Sequence, residues 1–247
     1  MQRITEQEVK QYICDNIPDF HKNRLLSIRK LQLKKILQRK NPYLFKAKNI
    51  TTADELVKSL LDAYLSSQEE TIFGSFLEGL AIFVCERVYG GRPSTAEGID
   101  LEFEKGGVLY LVSIKSGPNW GNSSQIERLK QCFRKAKRIM GNRYPRKRVE
   151  AINGCCYGRC AKEQKGEYTK LCGQRFWAFI SGVASFYKDI IEPLGYQAKK
   201  RNDEFNAEYA KVVNQFTHEF IENFCDPDGT IRWDKVVELN SKARAST

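Results

Sequence analysis

The apolar positions in the first part of the chain recur with a helical period. Residues 5–16 and 22–40 are predicted to be helices, because leucines in the second segment fall roughly on one face among lysines and arginines. Pro42 ends that helix, and residues 41–49 are predicted to form a loop with two aromatic residues. A capping pattern then favours a further helix over about 52–66.

Residues 69–87 are the most apolar helical segment, with Glu78 inside it. The density of apolar residues predicts a buried helix rather than one on the surface. After a Gly- and Pro-rich connection at 89–98, the pattern changes from helical to alternating. Residues 99–104 and 108–115 are therefore predicted to be antiparallel strands joined by a tight turn.

The second half of the chain continues with mixed elements. A basic helix is predicted over about 122–140, a strand over 148–157, and helices over 173–186 and about 203–225. The order of elements indicates an α/β fold, with a mixed central sheet flanked by helices and helical additions at both ends of the chain.

Charge points to a polyanionic partner. The 247 residues carry a formal net charge of +11. A first basic run, residues 22–48, has ten Lys or Arg and no acid, and a second basic run, residues 127–150, has ten against two acids. Nucleic acid is the expected partner. Because no apolar run approaches a membrane span and the N-terminus lacks a signal-peptide pattern, the expected location is the cytoplasm.

The predicted hairpin brings an acid and a lysine together. Asp100 begins the first strand and Lys115 ends the second, so both lie at one end of the sheet. A carboxylate can hold a divalent metal, and a lysine can orient a water molecule and stabilise negative charge at phosphorus. The carbonyl of Ile114 could be a further ligand. Oxygen ligands of this kind favour Mg²⁺ over zinc.

These residues lie in a segment that resembles a known superfamily. GIDLEFEKGGVLYLVSIKSGPNW (98–120) is similar to the core of PD-(D/E)XK nucleases, which include many type II restriction endonucleases. The segments 40–49, 66–84, 153–158 and 172–182 are similar to those of restriction enzymes of the PmeII-like group.

The resemblance implies a site-specific endonuclease of a restriction-modification system. It would hydrolyse double-stranded DNA with Mg²⁺, leave 5′-phosphate ends, act as a homodimer and have a DNA methyltransferase as its genetic partner. The expected organisation is an N-terminal helical DNA-binding extension (1–66), a nuclease core (67–190) and a C-terminal helical region (191–247). The alternatives are a structure-specific repair or recombination nuclease, and a nucleic-acid-binding protein with a decayed site.

Two positions depart from the superfamily pattern. Ile99 stands in place of the proline before the aspartate, and Ser113 in place of the second acid. Glu78 is the first candidate to replace that acid, Glu127 the second and Glu102 the third, although a solvated side chain is the ordinary expectation for Glu102. The predicted catalytic residues are Asp100, Lys115, Glu78 and Ser113, and the predicted metal ligands are Asp100, Glu78 and the Ile114 carbonyl.

The residues after Lys115 are candidate DNA contacts, because Asn and Ser side chains can donate to phosphates. The same residues can instead form a turn and a helix cap. Lysines of the first basic run are added to this set. The predicted DNA contacts are Ser116, Asn119, Trp120, Asn122, Ser123, Gln125, Arg128, Lys40, Lys46 and Lys48.

Four of the eight cysteines are clustered in sequence: Cys155, Cys156, Cys160 and Cys172. Their spacing differs from the usual CxxC pairs of zinc sites, and neither histidine is close in sequence. Free thiols are favoured over zinc, and Cys155 and Cys156 are predicted to end a buried strand.

Overall fold

The structure is a computed structural model that describes residues 3–243. Helices and strands are numbered separately in chain order. The elements are α1 (Glu6–Arg29), α2 (Leu33–Arg39), α3 (Pro42–Ala47), α4 (Ala53–Tyr89), β1 (Arg92–Pro93), β2 (Leu101–Lys105), β3 (Val108–Lys115), α5 (Ser123–Arg143), β4 (Arg148–Cys155), β5 (Thr169–Cys172), α6 (Gln174–Ser181), α7 (Phe186–Asp189), α8 (Ile191–Leu194), α9 (Ala198–Phe224) and α10 (Trp233–Ser241).

The strands form one mixed sheet in the order β1-β2-β3-β4-β5. The first three strands pair in antiparallel fashion, and β3, β4 and β5 pair in parallel. The hairpin between β2 and β3 turns at Gly106 and Gly107, whose φ angles of 59° and 76° favour glycine. The predicted α/β fold, a mixed sheet accompanied by helices, is confirmed.

The helical segments at the start of the chain are divided differently from the prediction. Helices were predicted over 5–16 and 22–40, but α1 continues through Pro18 to Arg29, and the break comes at residues 30–32, before α2. Buried Ile13 and Ile17 keep the helical spacing up to the proline. Their packing therefore outweighs the loss of the backbone hydrogen bond that Pro18 cannot donate.

The segment after α2 also differs from its prediction. Residues 41–49 were predicted to be a loop, but α3 forms there. The Asn41 side chain accepts hydrogen bonds from the N–H groups of Tyr43 and Leu44, and Pro42 occupies the first turn. Proline is favoured in that position, so Pro42 begins a helix rather than only ending one. Farther on, α4 is one helix of 37 residues where two were predicted.

Five further short elements were missed, namely β1, β5, α7, α8 and α10. The strands β1 and β5 have two and four residues, too few for an alternating pattern to be visible, and α10 follows a turn near the C-terminus. The predicted strand end at Cys155 and Cys156 is confirmed, since β4 ends at Cys155 and both thiols are buried. Trp177 is also buried.

The described residues group into two compact units. The first contains those up to Pro18 together with Phe73–Tyr196, and includes the sheet. One of its hydrophobic clusters packs α5 residues such as Phe133 against the strands. The second contains Asp19–Ile72 and the residues from Gln197 onward, and its cluster is helical. The division of the chain into segments 1–66, 67–190 and 191–247 stays a prediction. Residues 1–2 of the first segment and 244–247 of the last lie outside the described residues.

Within residues 3–243, no helix is long and apolar enough to cross a membrane.

Candidate active site

The register of the hairpin places Asp100 opposite Ser113. Leu101 pairs with Val112, and the Asp100 N–H donates to the carbonyl of Val112 at 2.9 Å. Lys115 is the last residue of β3, and its Nζ lies 3.7 Å from Oδ2 of Asp100. The predicted meeting of Asp100 and Lys115 at one end of the sheet is therefore confirmed.

Two donors hold the Asp100 carboxylate. Its Oδ2 accepts a hydrogen bond of 2.6 Å from the Ile114 N–H and one of 3.3 Å from the Ser113 hydroxyl. Ser113 is fully buried at 0% exposure. The serine thus helps to orient the aspartate as a neutral hydrogen-bond donor.

Lys115 lies between polar and aromatic groups at the strand end. Its Nζ donates to the Ile114 carbonyl at 2.8 Å and lies 5.7 Å from the ring centroid of Trp120. The side chains of Lys115 and Asp100 are 30% and 22% exposed. Both charges are therefore shielded on most sides and still reachable from solvent.

Glu78, on α4, interacts electrostatically with both members of the acid–lysine pair. Gly74 lies one helical turn earlier, and a Cβ there would be 3.6 Å from Cβ of Ser116, so this face of α4 packs against the segment after Lys115. Burial raises the pKa of Glu78, and the negative charge of Asp100 raises it further, while Lys115 lowers it. Glu78 thus shares one electrostatic environment with the acid–lysine pair.

The two competing acids have other partners. Glu127 accepts hydrogen bonds from Lys130 and Arg134, which lower its pKa. Glu102 was expected to be solvated, and this is wrong: it is buried at 6% exposure and accepts from Nε of Arg92 at 2.6 Å. The cause is the unpredicted strand β1, which pairs Arg92 directly with Glu102.

The predicted DNA contacts after Lys115 have mixed surroundings. Asn122 and Gln125 form a capping box at the start of α5, which is the structural alternative considered for them. Trp120 donates through Nε1 to Asn153, and Arg128 pairs with Glu97. Ser116 is half-buried, while Asn119 and Ser123 are exposed.

The predicted lysine contacts lie in the second unit. Nζ of Lys40 donates to the carbonyl of Ala63 at 2.8 Å, so this lysine has a structural role. Lys46 lies 5.6 Å from the ring centroid of Trp233, and both Lys46 and Lys48 are exposed.

The two basic runs differ in their ion pairs. In the first run, the structure of residues 3–243 gives ion pairs with carboxylates only for Arg24 and Arg29. In the second run, six of the ten cations have such pairs: Arg128, Lys130, Arg134, Lys135, Lys147 and Arg148. The first run therefore has the larger uncompensated charge.

Asn153 was missed by the sequence reasoning. It is fully buried on β4 in register with Ser113, donates to the Ser113 carbonyl at 3.2 Å and accepts from Trp120. The available signal was an asparagine inside an apolar strand, because a buried amide needs partners. It connects the strand that carries Ser113 to the segment that follows Lys115.

The residues at this site fit a hard divalent cation. Asp100 and Glu78 supply carboxylates whose mutual repulsion a cation would relieve, and Ile114 supplies a carbonyl. All of these donors are oxygen atoms. Among residues 3–243, no group of three or more His, Cys, Asp or Glu side chains is arranged to hold a metal.

A mixed sheet flanked by helices, with this acid–lysine pair at a strand end, is consistent with an α/β nuclease fold. The model of the family described as Type II restriction endonuclease EcoO109I matches residues 7–202, more than half of the chain. The chain therefore belongs to this restriction endonuclease family, whose members cut DNA. Among curated proteins, none matches the chain. Type II restriction endonucleases generally use a divalent metal.

Proposed function

We propose that the protein is a Mg²⁺-dependent, site-specific endonuclease of the PD-(D/E)XK type that hydrolyses double-stranded DNA. The observation that carries the proposal is the pairing of Asp100 with Lys115 at 3.7 Å, beside a Glu78 carboxylate with a raised pKa. An acid with a perturbed pKa near an aspartate–lysine pair, at a partly open strand end, is typical of a catalytic centre.

Each side chain has a role that follows from its contacts. Asp100, Glu78 and the Ile114 carbonyl would hold the cation, which when bound activates water and polarises the scissile phosphate. Ser113 and the Ile114 N–H keep Asp100 in place. The ammonium of Lys115 would stabilise charge that develops on the phosphate and orient the attacking water.

The wider proposals follow from the family. A homodimer would cut both strands of a two-fold symmetric site and leave 5′-phosphate ends, and a DNA methyltransferase would protect the same site. The expected place of action is the cytoplasm, where host and phage DNA meet. The narrower likeness to the PmeII-like group stays a prediction, because the matching family model is a different one.

The central test is cleavage of unmodified phage DNA with Mg²⁺, read on a gel and by end-sequencing. Discrete fragments with 5′-phosphate ends are expected. Asp100→Asn and Lys115→Ala should each reduce the rate by several orders of magnitude and leave the fold intact, because both act at the phosphate rather than in the core. A Lys115→Ala protein that cuts like the wild type would remove this assignment.

The replacement acid is tested with a matched pair. Glu78→Gln should depress cutting as severely as Asp100→Asn and raise the Mg²⁺ concentration required, whereas Glu127→Gln should cut normally because Glu127 is occupied by Lys130 and Arg134. The reverse pattern would show that the acid comes from α5. Cutting that follows DNA structure rather than sequence would favour a repair nuclease, and no cutting at all would favour a binding protein.

A further inference from the structure

The loop between β4 and β5, residues 156–168, leaves the sheet beside the acid–lysine pair. In the parallel pairing of β3 with β4, Lys115 lies opposite the last residue of β4. Backbone hydrogen bonds continue this pairing beyond the ends of both strands. The Cys156 N–H donates to the Lys115 carbonyl at 2.9 Å, and the Tyr157 N–H donates to the Ser116 carbonyl at 3.0 Å. The backbone of Tyr157 is therefore fixed next to the turn that follows Lys115.

The side chain of Tyr157 is held against that turn. A Cβ on Gly117 would lie 2.4 Å from Cζ and 2.6 Å from the hydroxyl oxygen of Tyr157, so the ring rests directly on the glycine backbone. The next residue, Gly158, has a φ of 86° and packs on Pro118 in the same way. Even so, Tyr157 is 51% exposed. The ring is thus positioned by the backbone but leaves half of its surface to solvent.

The same loop carries uncompensated positive charge. Arg159, Lys162 and Lys165 are exposed, and within residues 3–243 the structure gives none of them an ion pair with a carboxylate. The loop's own acids, Glu163 and Glu167, pair with arginines outside it. A fixed aromatic ring followed by a free arginine therefore borders the candidate catalytic centre.

We propose that Tyr157 and Arg159 contact the DNA that flanks the scissile phosphate. This inference rests on the proposed nuclease function. The Tyr157 ring would pack on the sugar or base of a neighbouring nucleotide, and Arg159 would donate to a nearby phosphate. Because the ring is already fixed against Gly117, the contact costs little additional side-chain ordering on binding.

The experiment begins with wild-type protein, whose cut site is mapped on phage DNA. A short duplex centred on that site is then bound without divalent metal, and the dissociation constant is followed by fluorescence anisotropy over a series of salt concentrations. The variants are Tyr157→Ala, Tyr157→Phe and Arg159→Ala. Tyr196→Ala and Lys188→Ala serve as controls from the same unit, and thermal unfolding shows that each variant is folded.

Tyr157→Ala should weaken binding about tenfold, which corresponds to about 1.4 kcal/mol of lost stacking, with an unchanged salt slope. Tyr157→Phe should bind like the wild type, because the ring makes the contact. Arg159→Ala should also weaken binding and make the log–log salt slope less steep by about 0.9. In cleavage, both alanine variants should raise KM more than they lower kcat.

The outcomes separate this inference from the proposed function. If the wild type cuts DNA but Tyr157→Ala and Arg159→Ala bind like the two controls, the inference is overturned and the nuclease assignment stands. If Tyr157→Phe loses as much affinity as Tyr157→Ala, the ring contact is wrong. If the wild type neither cuts nor binds DNA, both the inference and the proposed function fall.

Discussion

Gly117 and Gly154 both lie against aromatic rings, yet an added methyl group should have different consequences at the two positions. A Cβ on Gly154 would be 2.1 Å from Cε2 of Phe176, and a Cβ on Gly117 would be 2.4 Å from Cζ of Tyr157. Since ordinary contacts begin at 3.4 Å, the ring or the backbone must move by about 1 Å in each case.

The burial of the two rings decides how much stability each substitution costs. Phe176 is fully buried at 0% exposure, so Gly154→Ala overpacks a core that cannot yield. Such changes cost about 1–3 kcal/mol, which lowers the melting temperature by roughly 2–12 °C in a chain of this size. Tyr157 is half exposed and can turn into solvent, so Gly117→Ala should cost less than about 1 kcal/mol but displace the ring from the turn that follows Lys115.

The assay compares thermal unfolding with DNA cleavage for the two variants and for Gly141→Ala, a helix position with no atom near the added methyl. The expected pattern is a clear loss of stability for Gly154→Ala, and near wild-type stability with slower cutting for Gly117→Ala. Gly141→Ala should be neutral or stabilising, by up to about 1 kcal/mol. A melting temperature of Gly154→Ala equal to that of the wild type would refute the packing argument.

Three further predictions concern charge. Because burial and Asp100 raise the pKa of Glu78, its protonated carboxyl group contributes stability at low pH, and that contribution is lost as pH rises above 4.5 through the raised folded-state pKa. Metal-free Glu78→Gln should therefore melt above the wild type at neutral pH and converge with it in acid, and a lower melting temperature at neutral pH would contradict this. DNA binding should weaken steeply as the salt concentration rises. Replacing Lys34, Lys35 and Arg39 together by Gln should make the log–log salt slope less steep by up to about 2.7, which is three phosphate contacts at about 0.9 each. A matched triple replacement in the second basic run should change this slope by less. Burial raises the pKa of the Cys155, Cys156 and Cys172 thiols and keeps them protonated. Treatment with a zinc-selective chelator, followed by Mg²⁺, should preserve the fold and the cutting activity, and unfolding with loss of one zinc per chain would show a structural metal site.

The hairpin could be predicted because its signal is local. Alternation fixes the faces of β2 and β3, and a tight turn fixes their register, so the meeting of Asp100 and Lys115 follows from the sequence alone. The association of Glu78 with this pair was harder to predict, because it depends on how α4 packs on the sheet. The sequence indicated it through a carboxylate inside an apolar helix just ahead of the hairpin, and through the resemblance to the nuclease superfamily.

What could not be predicted lies mostly in short elements and in pairs distant along the chain. The two-residue strand β1 has no visible periodicity, yet it pairs Arg92 with Glu102, whose side chain is buried there. Asn153 shows the same limit, because its partners Ser113 and Trp120 come from other parts of the chain. Polar residues in apolar strands indicate a buried network but do not name its members.

The two hydrogen bonds that hold Asp100 have a consequence for the entropy of binding. A free aspartate loses rotational freedom when it takes a ligand, and that loss weakens the complex. Here the Ile114 N–H and the Ser113 hydroxyl already fix the carboxylate in the folded protein. The ordering therefore occurs during folding, and Ser113 contributes rigidity to the site in place of a second negative charge.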